Sequence, residues 1–459
     1  MRGFTEQELA DFAVKRQRSA ERLNQAVTDA RRIARILNEV HGTGYSDDFW
    51  LFLVLPHLRK LQIQEYQDNL AIELGTADQS GDGQSFRSVI RQRLSMLLRT
   101  FTSFVRLFKQ WVNFRRLSHD LDAHDIFVYG FHDVSEIRRK GHLISAASPV
   151  VLNGMQKHKR SLVQKHAASA DCERLRHAME TLPPLLVERF ESLLHCVPLH
   201  APERKQFHVS IGLSDFMSLL FALYKEHGAE IHRYQHGSHY GEQENFDAIE
   251  RLTSTAFHTW GWKIGGRDIP DRAYRLAGFG RRYKSHSDAQ ENDILVCYPA
   301  LHRNNIEEVR QNSDGLLSEL DRGKYPAVTA RPRPMTRYFD HSADIHFAKK
   351  LGVQVDSGQN DIAQLIAKSR LVIHLRVPST TFLECLYVDH PIMGVFFNHC
   401  PTLVALPHYE ELFRMGLLHR SGEALCNYLN GIDSINSWWR DVTSNHAYQQ
   451  IQNVFARRV

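Results

Sequence analysis

The sequence predicts an α/β protein, with two units of mostly parallel sheet preceded by a helical amino-terminal region. Three observations carry this expectation. The first 120 residues show helical periodicity, short β-rich runs alternate with helical stretches from about residue 121, and a polar segment at 278–292 divides that alternation in two. A chain of 459 residues also exceeds what one ordinary core supports. The expected boundaries are 1–120 for the helical region, counted with the first sheet unit at 121–285, then 286–434 for a second unit. A carboxy-terminal helix at 435–459 is expected to pack back on the first unit.

From Thr5 to about Val40, Leu23, Ala26, Ala30, Ile33 and Leu37 recur at three- and four-residue steps on one face. After Gly42-Thr43-Gly44 a second helix carries Phe49, Leu53, Leu55 and Leu58 and continues beyond Pro56 with a kink. Residues 75–84 (GTADQSGDGQ) read as a loop. In the first sheet unit DIFVYGF (125–131), FHVSIGL (207–213), EIHRY (230–234) and AFHTW (256–260) read as strands, with a helix at 214–227. In the second, strands are expected at 293–298, near 327–330, at 353–355, 371–374 and 392–397. Helices are expected around 306–321 and 342–351 and at 361–368 and 381–387.

Composition narrows the function classes. Hydrophobic residues are 42% and charged residues 24%, which is a packed globular chain and excludes a largely disordered one. The longest uncharged apolar run, Phe49 to Pro56, is far short of the ~20 residues of a membrane span. Charges interrupt the amino terminus where a secretory signal has its apolar stretch, so a cytoplasmic protein is expected. Six scattered cysteines contain no C-x-x-C pair, and the 27 histidines show no H-E-x-x-H spacing, so neither a disulfide framework nor a zinc site is expected. There is no phosphate-binding G-x-x-x-x-G-K-[ST] loop.

The net charge of +5 is local. Of 57 Lys and Arg, eight (Arg87, Arg91, Arg93, Arg99, Arg106, Lys109, Arg115 and Arg116) lie within 83–119 with no acidic residue among them. The 49 elsewhere face 52 Asp and Glu, a net of −3. Leu97, Phe101, Phe104, Val105, Phe108, Trp111 and Val112 fall at helical spacing in the same stretch. Two readings stay open: a basic amphipathic helix on an anionic membrane surface, or rings packed in the core behind a solvated arginine face. No nucleic-acid-binding module accompanies the basic stretch, and nucleic acid is not an expected partner.

The most informative segment for chemistry is SRLVIHLRVPSTTFLECLYVDHPIMGVFF (369–397). An apolar strand runs into Pro378, and Ser379, Thr380 and Thr381 then open a helix. Free N–H groups and hydroxyls at the carboxyl edge of a parallel sheet favour a phosphate, although such clusters also serve simply as helix caps. Glu384, placed in the first turn, either closes a capping box or hydrogen-bonds a ribose hydroxyl. A second segment, YQHGSHYG (234–241), leaves the carboxyl end of the 230–234 strand. Gly237 permits a backbone angle or close approach there, and His236 projects from the turn either as a general base or as a structural histidine. Asp215, after the 207–213 strand, competes as a carboxylate base or is an ordinary cap. Arg331 and Arg333 in TARPRP follow a strand and either neutralise a phosphate or sugar carboxylate or lie on the surface. The Asp120-x-Asp122 pair precedes a strand instead of following one and is read as a turn, not a metal site.

Strand, Ser/Thr cluster, L-E-x-L helix, turn with Pro391 and second strand resemble the donor-binding half of glycosyltransferases with two facing Rossmann-like domains. In those enzymes the nucleotide phosphate rests on this helix start and the Glu holds the ribose. YQHGSHYG followed by FHTWGW (257–262) resembles the Q-H-G-G-x-Y-G and W-G-W pattern of a thinly characterised transferase family of bacterial surface-polysaccharide loci, and FWLFLVLPHL is similar to its W-x-x-x-L-x-P-x-L helix. Ser238 stands where that pattern has glycine. A His-Gly loop similar to this one carries the proposed base in glycerophosphate polymerases of wall teichoic acid synthesis. The resemblance implies a metal-independent glycosyltransferase with no cofactor beyond a nucleotide-sugar co-substrate. The donor would sit on Arg331, Arg333, Ser379, Thr380, Thr381 and Glu384, and a substrate loop would comprise Gln235, Gly237, Ser238, Tyr240 and Gly241. A CMP-linked acidic sugar such as Kdo or a sialic-acid relative is the expected donor, with a surface glycan or its lipid-linked precursor as acceptor at the inner face of the cytoplasmic membrane. Transfer of an alcohol phosphate from a CDP donor and non-catalytic glycan binding are the alternatives.

Overall fold

The computed structural model describes residues 3–73, 115–117, 119–130, 141–144, 156–210, 213–284, 292–299, 306–332, 348–349, 352–356, 358, 360–397 and 399–458. Most of the basic stretch at 83–119, the loop at 75–84, Arg333 and nearly all of the helix expected around 342–351 lie outside the described residues.

In chain order the first half contains helices α1 (Glu6–His41) and α2 (Asp47–Glu73), strands β1 (Ile126–Tyr129) and β2 (His142–Ile144), and helices α3 (Lys157–Ala168), α4 (Glu173–Glu180) and α5 (Phe190–Leu194). It continues with β3 (Gln206–Val209), α6 (Asp215–Glu226), β4 (Glu230–Tyr234), α7 (Ala248–Thr253), β5 (Ala256–Thr259), β6 (Asp268–Pro270) and α8 (Tyr274–Lys284). The second half contains β7 (Asn292–Cys297), α9 (Ile306–Glu319), β8 (Val328–Arg331), β9 (Gln354–Val355), α10 (Ile362–Ala367), β10 (Ser369–Val377), α11 (Thr380–Val388) and β11 (Ile392–Phe396). It ends with α12 (Leu406–Arg414), β12 (Leu418–His419), α13 (Gly422–Asn430), α14 (Ile435–Ser444) and α15 (His446–Phe455).

Both six-stranded sheets are parallel throughout. The first has the order β2-β1-β3-β4-β5-β6 and the second β12-β11-β10-β7-β8-β9. These are the two doubly wound orders, and the second has the Rossmann arrangement with its reversal between β7 and β10. The α/β class and the helical amino-terminal region expected from the sequence are therefore present. β10 is nine residues long and buried over most of its length, as expected for a central strand covered on both faces.

In the helical hairpin α1–α2, α1 is capped locally at both ends. Thr5 and Glu8 make a reciprocal capping box, and Gly42 ends α1 in the left-handed conformation at φ 62°. Asn38 then fixes the connection, its Oδ1 accepting from the Trp50 indole at 2.8 Å and from the Tyr45 N–H at 3.1 Å. Pro56 lies inside α2 as expected.

Two expectations about organisation are corrected. The segment at 278–292, expected as a linker, is helical as far as Lys284, because Leu276, Phe279 and Tyr283 supply a 3–4 spacing that packs on the second half. Gly280 sits inside that helix because a side chain there would meet the Tyr387 ring at 3.1 Å. The amino-terminal helix is not confined to the first unit. Phe12 packs in the cluster that joins both halves, while Ala30, Ile33 and Leu37 pack in the first core. At the other terminus, α15 touches both units. Arg457 and Trp260 share a backbone hydrogen bond of 3.1 Å, and Tyr448 reaches the Leu386 carbonyl at 3.4 Å.

Candidate functional site

The carboxyl edges of the two sheets meet. The turn after β4 (235–241) lies against the start of α11 after β10, where the Ser238 N–H donates to Thr380 Oγ1 at 3.1 Å. Tyr240, Trp260 and Trp262 from the first unit share one apolar cluster with Val377, Phe382 and Leu386 from the second. The meeting of the two edges is thus anchored by buried side chains as well as by this hydrogen bond.

Gln235 explains why the His-Gly loop and the Trp-Gly-Trp segment occur together. Its Oε1 accepts from the Trp260 backbone N–H at 2.9 Å and from the Trp262 indole at 2.8 Å, while its Nε2 donates to the Gly237 carbonyl at 3.0 Å. One amide therefore satisfies two buried donors and closes the turn. Gly241 follows at φ +69°, and a Cβ there would lie 2.4 Å from the Trp262 ring, so no side chain fits. Gly237 is different: its φ is not left-handed, and a Cβ would meet only Thr380 Oγ1 at 3.5 Å. The special backbone angle expected at Gly237 falls instead on His239, at φ 77°, and on Gly241.

His236 is half-buried. Its ring nitrogens stand 3.1 and 3.3 Å from the Tyr240 hydroxyl, which in turn donates to Glu250 Oε1 at 3.0 Å. Because Tyr240 has one proton and gives it to Glu250, its oxygen accepts from the imidazole N–H, which leaves the other ring nitrogen with its lone pair. Burial lowers the His236 pKa below the ordinary 6.5, against a smaller upward pull from Glu250, so the ring is neutral at pH 7. Arg275 holds the His236 carbonyl at 2.5 Å.

Across the interface, Ser379 is the N-cap of α11, its hydroxyl accepting from the Phe382 N–H, and Thr380 and Thr381 occupy the first two helical positions. Glu384 is the fifth helical residue, so the first-turn position and the capping box expected for it are corrected: Phe382 occupies the third position. It is buried beside Cys297, and burial raises its carboxyl pKa to about 7, with the charges of Arg275 and Arg282 pulling the other way.

Arg376, two positions before Pro378 on the same strand end, was not singled out from the sequence. Its guanidinium lies 3.8 Å from the centre of the Phe397 ring, and its buried Nε has no hydrogen-bond partner. Burial depresses its pKa, and it faces His239, whose own pKa burial and the Arg376 charge lower to about 4. The legible signal was a charged residue inside the apolar run LVIHLRVP. Glu250 was also missed, and no local pattern marks it.

Other expected residues are placed as follows. Arg331 is buried at the end of β8, ion-paired with Asp356 and bonded to the Asn360 carbonyl at 3.0 Å, so its charge is neutralised within the fold. Asp215 begins α6 behind the Ser214 cap, and its side chain lies outside the described residues. Asp120 lies 3.0 Å from the His142 ring and Asp122 3.6 Å from the His200 ring, in a helical turn before β1. Among the described residues no three His, Cys, Asp or Glu side chains converge as a metal site, and no helix is long and apolar enough to cross a membrane. All six cysteines are free thiols.

Two doubly wound halves with facing carboxyl edges, a histidine loop on one and a helix start on the other, define a two-domain α/β protein with a candidate site between its halves. The chain belongs to the LIC12162 family of transferases, whose profile matches residues 64–459. Among solved structures it is similar to the wall teichoic acid polymerase TagF, in a form soaked with CDPG, at 11% identity over 79% of this chain and 94% of that one, with a TM-score of 0.33. It is also similar to S. aureus MnaA with UDP (10% identity, 72% and 92% covered, TM-score 0.37) and to UDP-GlcNAc 2-epimerase from Neisseria meningitidis bound to UDP-GlcNAc (12%, 72% and 94%, 0.37). A comparison with curated proteins gives no match.

Proposed function

We propose that this transferase moves a sugar from a nucleotide-sugar donor to a hydroxyl of a bacterial surface glycan or its lipid-linked precursor, without a metal. The observation that carries the reading is the 3.1 Å contact between Ser238 and Thr380, which brings the His236 loop to the start of α11. The donor phosphate rests on the N–H groups of that helix start, with Arg376 as the counter-charge that Arg331 does not supply. Glu384, neutral or ionised near pH 7, is placed one turn further in to meet a ribose hydroxyl. His236 removes the acceptor hydroxyl proton as that oxygen bonds to the anomeric carbon. The bond from that carbon to the phosphate oxygen breaks, and its electron pair stays on the phosphate, where the helix start stabilises it. Tyr240 and Glu250 hold the imidazole in the tautomer this step needs. A CMP-linked acidic sugar suits this site, since a monophosphate leaving group and a carboxylate both match Ser/Thr hydroxyls and arginine.

The test is the melting temperature of the full chain in CMP, CDP, UDP and GDP. The reading expects stabilisation by at least one of them at millimolar concentration, reduced in Arg376→Ala. No stabilisation by any nucleotide sinks the donor site.

A further inference from the structure

A cavity of about 330 Å³ opens in the first unit between α2, β4 and α7, and no residue of α11 is among its described lining. Phe52, Leu53, Leu186 and Ile249 give it apolar walls, and Arg59, Lys60 and Arg233 line it as well. Arg233 is only 6% exposed, its guanidinium lies 5.5 Å from the centre of the Phe52 ring, and its Nε has no hydrogen-bond partner. Among the described residues Glu250 is the one carboxylate of the lining; it accepts from the Tyr240 hydroxyl and acts on the Arg233 charge, but no carboxylate lies within ion-pair distance of Arg233 or Arg59. Among the described residues of the lining, three cations stand against one carboxylate.

A guanidinium held inside a protein with only a partial counter-charge is costly relative to water, a penalty that a bound anion offsets. Burial depresses the pKa of both arginines, with the nearby Glu250 charge pulling the Arg233 value the other way. Two guanidinium groups match a phosphoryl group in charge and in fork geometry, which a single carboxylate does not. The apolar walls disfavour a fully hydrated inorganic ion and offer surface to a hydrocarbon or ring. The volume is at the small end of small-molecule sites.

We propose that this cavity is a binding site for a small organic phosphate, its phosphoryl group held by Arg233 and Arg59 and its apolar part lying on Phe52, Leu186 and Ile249. The proposal does not depend on what occupies the start of α11. Because Glu250 serves both the cavity wall and Tyr240, an occupant also sits one hydrogen bond from the residue that touches His236.

Calorimetric titration of the full chain with hexyl phosphate, inorganic phosphate and hexanol tests it, alongside flotation with vesicles of phosphatidylcholine containing phosphatidic acid. The expected result is hexyl phosphate binding at least about tenfold tighter than inorganic phosphate, and about tenfold weaker in both Arg233→Met and Arg59→Gln. Arg233→Met removes a buried charge that makes no ion pair and that Glu250 only partly offsets, so its urea midpoint is expected to stay at or above wild type, which separates lost binding from lost folding. The proposal is overturned if hexyl phosphate fails to bind at about 10 mM, if both variants bind it like wild type, or if only the vesicles bind.

Discussion

Replacing Gln235 by methionine tests the link between the His-Gly loop and the Trp-Gly-Trp segment. Methionine has nearly the same length and volume, so the cavity contribution is small and the change isolates the polar atoms. Two donors lose their acceptor, the Trp260 N–H and the Trp262 indole, on residues 2% and 1% exposed. Each orphaned buried donor costs about 1–3 kcal/mol, so the loss is about 2–6 kcal/mol. The bond to the Gly237 carbonyl adds little, because that residue is half-buried and water can replace the amide. Equilibrium urea unfolding followed by far-ultraviolet circular dichroism measures the loss. A double-mutant cycle with Trp262→Phe is expected to give a coupling above about 0.5 kcal/mol, because the two side chains share a hydrogen bond. An unchanged urea midpoint for Gln235→Met, or additive effects in the cycle, would refute the assignment of Gln235 as the tie between the two motifs.

Gly241→Ala is expected to lose about 2–4 kcal/mol in the same assay, since the alanine would have to hold a left-handed angle and displace the Trp262 ring. Arg331→Met breaks a buried ion pair and is expected to cost about 3–5 kcal/mol while leaving nucleotide affinity unchanged; a tenfold loss of affinity at unchanged stability would instead give Arg331 a role at the donor. On acidification, burial holds His239, His374 and His419 at about 4 and His390 and His399 at about 3, all below the ordinary 6.5. The unfolded chain therefore binds more protons at these five as pH falls below 6.5. Glu242, Asp247 and Glu384, raised to about 7, act the other way from pH 7 down to their ordinary carboxylate range. Five against three gives a net loss of stability below pH 6.5 that steepens below about 4.5, and a melting temperature that rises between pH 6.5 and 4.5 would contradict it.

Much of this architecture was legible because parallel sheets are buried on both faces and their strands read as apolar runs. The 230–234 strand coincides with β4, and the runs at 256–260 and 392–397 lie within a residue of β5 and β11. β2, β6 and β12 were missed because two or three residues at a sheet edge carry no periodicity. α8 was hidden by its glycines and arginines, although the spacing of Leu276, Phe279 and Tyr283 was present. At the site, the loop and the helix start were readable because turn glycines and cap residues are local signals. Their partners were not: Gln235 bonds residues 25 and 27 positions away, and Arg331 is neutralised by Asp356, 25 positions on. Such pairings are set by tertiary packing, which local spacing does not encode. Arg376 was an exception that could have been read, as a cation in a strand otherwise built for burial.

The most direct measurement of the account is nucleotide release from the matching nucleotide-sugar in the presence of acceptor, comparing wild type with His236→Gln at equal nucleotide occupancy. If His236 is the base, the variant binds the nucleotide like wild type and turns over about 10²–10⁴-fold more slowly. Turnover within a few fold of wild type, with binding retained, would contradict the account and move the base elsewhere in the cleft.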